Sequence, residues 1–119
     1  LVESRTSLTW VSVGLAVTTG VIHLIVLNVL FWQRAGTVDA PFIVNGVGFL
    51  VLAAALLGYI PFLRAHGRWV RIGLMCWSAL TLVAWFILGE LTDLLGIFTA
   101  VIEAALLITS ALDFLRSDP

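Results

Sequence analysis

The chain has 119 residues, 61% of them hydrophobic and 11% charged, with a formal net charge of −1. A soluble domain devotes about 25% of its residues to charge, so this composition excludes a water-facing surface. It predicts a single all-α integral membrane domain over residues 1–119, with the lipid bilayer as its first partner. The net charge of −1, with no nucleic-acid recognition motif, argues against nucleic acid.

Residues 8–32 form the first apolar run, and their only ionisable side chain is His23. The run exceeds the ~20 residues that cross hydrocarbon. It is too long for a signal-peptide core and lacks a small-x-small cleavage site, so it reads as a transmembrane helix. Ser12, Ala16 and Gly20 recur at steps of four, a helix-packing series that lets another backbone approach. After a polar connection with Gly36 as its turn residue, Asp39 and Pro41 signal the next helix start. The second run, residues 41–63, carries Asn45, Gly48, Leu52, Ala55 and Tyr59 on one stripe. Residues 64–71 read as a basic loop containing His66 and Gly67.

The third run covers residues 72–89, with Trp77 and Trp85 two turns apart as bundle packing. Cys76, the lone cysteine, excludes an internal disulfide and is expected as a small core residue. Glu90 and Asp93 turn the chain into the fourth run, residues 94–115. Connections this short make consecutive spans antiparallel neighbours, an up-down-up-down four-helix bundle. Arg5, Arg64, Arg68, Arg71 and Arg116 fall on the side of the termini, and Arg34 alone on the other. The excess places both termini in the cytoplasm, with the bundle integral to the cell membrane. Trp10 and Trp69 then lie at the inner interface and Trp32 at the outer one.

The fourth run carries an acid, Glu103, near its centre, where a charge costs roughly 2.5–3.5 kcal/mol on insertion scales. Gly96, Thr99, Glu103, Leu106, Ser110 and Asp113 recur at alternating steps of three and four, a stripe expected to face other helices. Phe98, Val101, Ile102, Ala105 and Ile108 are left for lipid. With the topology above, Glu103 lies within ~2 Å of mid-membrane and His23 ~4–5 Å to its outer side, close enough in depth to touch. Thr19 and Thr99 lie near the same stripes. Asn45 falls at the outer end, as does Asn28, which on an ideal helix points ~140° away from His23.

The expected interior polar site is thus Glu103, His23, Thr99, Thr19 and Asn45. Its simplest role is a buried lock between helices, in a structural or accessory subunit or a self-associating bundle. The alternative is a small homo-oligomeric transporter or channel, because a carboxyl–imidazole pair in a membrane suits proton coupling. The partner is a further copy or another membrane protein. Haem or pigment binding through His23 ranks below both, since a second membrane histidine would have to come from another copy. No resident cofactor is expected. A metal on His23 and Glu103 alone lacks ligands, and no HExxH spacing exists. With no Ser-His-acid set, phosphate loop or catalytic carboxylate pair, no enzyme is expected. Four short helices of this length with a membrane glutamate resemble the small multidrug resistance transporters, which work as dimers. That family's essential glutamate lies in the first helix, whereas Glu103 is in the fourth, so no residue role is carried over.

Overall fold

A computed structural model describes residues 6–88 and 93–117. Arg5 and Glu90 lie outside that range. The described residues form four helices and no strand. Helix α1 runs continuously over Ser7–Ala35. Thr6 caps its start, accepting from the Thr9 amide while the Thr9 hydroxyl accepts from the Thr6 amide. Gly36 ends it with φ at 72°, a left-handed position that glycine adopts without strain. Helix α2, Ala40–Leu56, starts where Asp39 accepts from the Phe42 amide at 3.1 Å and Pro41 occupies the first turn.

The second helix stops seven residues short of the expected boundary. Gly58 takes φ at 86°, the Tyr59 amide reaches back to Ala54 O at 3.0 Å, and the Gly58 amide bonds Ala55 O at 3.1 Å. That pair of bonds is the Schellman closure of a helix end, and Pro61 then opens a short 3₁₀ turn, Pro61–Leu63. Tyr59 consequently leaves the stripe assigned to it and is exposed. Helix α3, Gly67–Leu88, begins five residues before its expected start, so Arg68 and Arg71 are helical rather than in a loop. Helix α4, Leu94–Arg116, follows the expected boundaries closely, with Asp93 as its cap. Of the four, α1, α3 and α4 are long and apolar enough to cross a membrane, while α2 is an apolar helix of 17 residues.

Each helix packs on the one before and after it in the chain, and α4 closes the ring against α1. Ala16, Phe49, Ala53, Leu74 and Leu106 fill the centre. Ser12, Ala16 and Gly20 are buried inside this ring, and Gly20 meets Gly46 of α2 at a close backbone crossing. The Trp77 ring occupies the space a side chain at Gly48 would need, and Trp85 lies against Gly96 in the same way. Both tryptophans are therefore packing elements.

On α4 the polar stripe faces inward: Thr99, Glu103, Leu106, Ser110 and Asp113 are buried, Glu103 to 1% exposure. Phe98, Val101 and Ile108 are exposed as expected, but Ile102 is buried and Ala105 half-buried. The buried arc is wider than one stripe because α4 packs against two helices, α1 and α3. Cys76 is exposed instead of being in the core. It shares an outer stripe of α3 with Leu80, Val83 and Ile87, all exposed.

Candidate functional site

Two polar layers lie between α1 and α4, and their side chains meet in a descending register. Ascending α1, Thr9 bonds Asp113, Ser12 bonds Thr109 and Thr19 bonds Glu103. Ten residues separate Thr9 from Thr19 and Asp113 from Glu103, so the layers stand about 15 Å apart on both helices.

The first layer is an ion pair with hydroxyl support. Arg71 Nε donates to Asp113 Oδ2 at 2.7 Å, and each side chain is only 2% exposed. Thr9 Oγ1 donates to the same carboxylate, at 2.9 Å to Oδ1 and 3.0 Å to Oδ2. Thr6 Oγ1 donates to Oδ1 at 3.3 Å. Charge-assisted bonds of this kind are about twice as strong as neutral ones, and here they draw α1, α3 and α4 onto a single carboxylate. This layer is not legible in the sequence, where Arg71 reads as a loop residue. The available signal was Asp113 itself, on the Glu103 stripe, with an arginine one residue outside the expected third span.

The second layer gathers His23, Glu103 and Thr19. His23 Nε2 stands 3.4 Å from Glu103 Oε1, and Thr19 Oγ1 donates to that oxygen at 3.2 Å. His23 Nδ1 lies 2.8 Å from Thr19 O. A carbonyl only accepts, so Nδ1 carries a hydrogen. With Nδ1 protonated, one further proton on either Nε2 or Oε1 would leave the pair without net charge, the arrangement a dry interior tolerates best. Phe42 and Phe49 of α2 wall the imidazole with ring centroids at 6.1 and 6.2 Å.

The backbone beneath this histidine is irregular. Ile22–Val26 is a π-turn, in which the Leu27 amide bonds Ile22 O rather than His23 O. The carbonyl passed over is served by a side chain: Asn28 Nδ2 donates to His23 O at 3.1 Å and to Leu24 O at 3.0 Å. Asn28 Oδ1 accepts from the Asp39 amide at 2.8 Å, tying the start of α2 to α1. The ideal-helix placement of Asn28 away from His23 is corrected by the extra residue in this turn. π-turns of this type recur at functional sites.

Comparison with protein-family models, curated proteins and solved structures gives no match. The site must therefore be read from its own geometry. Of the five expected interior residues, Glu103, His23 and Thr19 are brought together. Thr99 is buried one turn away and donates to Leu95 O at 2.8 Å. Asn45 is elsewhere: its Oδ1 accepts from Thr81 at 2.8 Å and its carbonyl from Trp77 Nε1 at 3.2 Å. It sits on the α3 side of α2, whereas Gly46, Phe49 and Ala53 take the buried face, so it joins α2 to α3 rather than lining the histidine site.

Between the layers, Ser12 Oγ donates to Thr109 at 3.2 Å. Among the described residues, Ser110 Oγ is buried without a hydrogen-bond partner. Among the described residues no group of three or more His, Cys, Asp or Glu gathers as a metal site would require. Both imidazole nitrogens of His23 face protein partners, so ligation of an iron through Nε2 would first have to displace Glu103.

Proposed function

We propose that the chain is an integral membrane protein whose helices run up-down-up-down, and that it acts as a structural or accessory subunit. The observation carrying this reading is that, among the described residues, the buried ionisable groups meet one another, Arg71 with Asp113 and His23 with Glu103, by contacts within one chain. Helices in hydrocarbon have no hydrophobic drive to associate, so small-residue contacts and interhelical hydrogen bonds must hold them together. The descending α1–α4 partners support an antiparallel course for that pair. The arginines Arg64, Arg68 and Arg116, at the end shared by the α2–α3 connection and the α4 C-terminus, support a cytoplasmic placement of that end. Neither catalysis nor a resident cofactor forms part of this reading. Crosslinking in native membranes, followed by purification in mild detergent, is expected to recover the chain with stoichiometric membrane-protein partners or further copies of itself. Isolation solely as a monomer would overturn the proposal.

The π-turn at His23 favours a second reading, a small homo-oligomeric proton-coupled transporter or channel working through Glu103 and His23. Here the backbone irregularity lies where a proton would change hands. In reconstituted liposomes, proton flux by the unaltered chain is expected to fall at least tenfold in Glu103→Gln. Equal flux in both preparations, or none in either, ends this reading without touching the first.

A further inference from the structure

We propose that the end of the bundle bearing Arg64, Arg68 and Arg116 is a binding surface for anionic phospholipid headgroups. The proposal rests on the membrane reading above and adds the chemical identity of the lipid met there. Arg68, in the first turn of α3, and Arg116, the exposed last residue of α4, lie at the same end of the bundle. The Arg68 guanidinium lies over the Phe114 ring, 4.3 Å from its centroid, which joins the first turn of α3 to the last turn of α4. Arg64 is exposed, and its Nε donates to Gly58 O at 2.8 Å. That bond fastens the side chain to the turn that closes α2 while leaving the Nη groups outside it.

Carboxylates do not neutralise this cluster among the described residues. Asp39 and Asp93 cap the opposite ends of α2 and α4, Glu103 lies mid-helix, and Asp113 is buried on Arg71. The described charge at the other end is mixed, with Arg34, Asp39 and Asp93.

The apolar surroundings select a lipid over a free phosphate. Tyr59, Phe62 and Trp69 are 74%, 77% and 70% exposed beside these arginines. A soluble anion would gain nothing from them, whereas aromatic rings settle at headgroup depth. Arginine forks match phosphate oxygens in pairs, and a weakly hydrated guanidinium is well suited to a partly dry interface. The surface thus combines cations for phosphate with rings for the acyl boundary.

The test uses the full chain in neutral detergent, titrated with fluorescently labelled phosphatidylglycerol or phosphatidylcholine. Phosphatidylglycerol is expected to bind in preference, with affinity falling roughly fivefold for each of Arg64→Gln, Arg68→Gln and Arg116→Gln. Arg34→Gln should leave it unchanged, and added salt should weaken it. Because Arg68→Gln also removes the Phe114 contact, Arg64→Gln/Arg116→Gln serves as a second variant with the thermal midpoint checked. Equal binding of the two lipids, full retention of binding in the Arg64→Gln/Arg116→Gln chain, or competition by glycerol phosphate at the lipid's own concentration would overturn the proposal. Flotation with phosphatidylcholine liposomes separates the two levels. A chain that inserts there yet shows no anionic preference defeats only this inference, while one that fails to insert defeats the membrane reading.

Discussion

Arg71→Met should destabilise the folded bundle by about 3–5 kcal/mol, read from denaturant or SDS titration in micelles. Methionine preserves most of the apolar stem but removes the cation 2.7 Å from Asp113 Oδ2. The carboxylate would then be held by the hydroxyls of Thr6 and Thr9 alone, in a layer where it is 1% exposed. Hydroxyls can donate to a carboxylate, but they cannot balance its charge, and the desolvation cost of an isolated buried ion exceeds what two such bonds return. The double substitution Arg71→Met/Asp113→Leu should recover most of the loss, because replacing both by apolar groups leaves neither of these two charges stranded by loss of the other. A single-variant loss below about 1 kcal/mol, or no recovery in the double, would show that the pair contributes little to holding α3 on α4.

Gly46→Ala is expected to cost about 3 kcal/mol by the same measurement, a large effect for one methyl group. A Cβ there would stand 2.7 Å from Gly20 O and 2.8 Å from Leu24 N, and both of those atoms are backbone. No rotamer change relieves such a clash, so α1 and α2 must separate. Leu24 belongs to the π-turn, and the displacement would pull His23 from between Phe42 and Phe49. Gly20→Ala should be milder, since two of the three atoms it meets belong to the Leu50 side chain, at 3.0 Å. Gly14→Ala provides the control. Among the described residues nothing lies within 4 Å of its Cβ position, so the better helix former should be neutral or stabilising by up to about 1 kcal/mol. Equal effects at Gly46 and Gly14 would refute the crossing as a tight contact.

The parts of this architecture visible from residue spacing are those where one period governs a long segment. The α4 stripe from Thr99 to Asp113 could be placed inside, and the α1 series Ser12, Ala16 and Gly20 marked as a contact face for this bundle or another copy, because every third or fourth residue repeats the message. Asp39 with Pro41 marked a start through local chemistry alone. What escaped was aperiodic. Gly58 resembles any other glycine in an apolar helix until its left-handed φ and the paired bonds to Ala54 and Ala55 close α2. Arg71 sits near a helix end, where spacing alone does not separate an inward side chain from one that snorkels outward. Asn45 lies one residue from the face it was expected to share, and a shift of one position moves a side chain by about 100°. The π-turn left no compositional trace, since the five residues Ile22–Val26 are as suitable for a regular helix as for a widened one.

That widened turn also re-phases α1. One residue added to a single turn rotates everything beyond it by about 100° relative to an uninterrupted helix. The helix therefore works as two segments with separate azimuths. Up to Thr19 it offers its hydroxyl row to α4, and from Asn28 onward it offers an amide to the loop ahead of α2. A straight rod of the same sequence would have to sacrifice one of these attachments, so the irregular step lets one helix grip two neighbours whose positions do not share a common face.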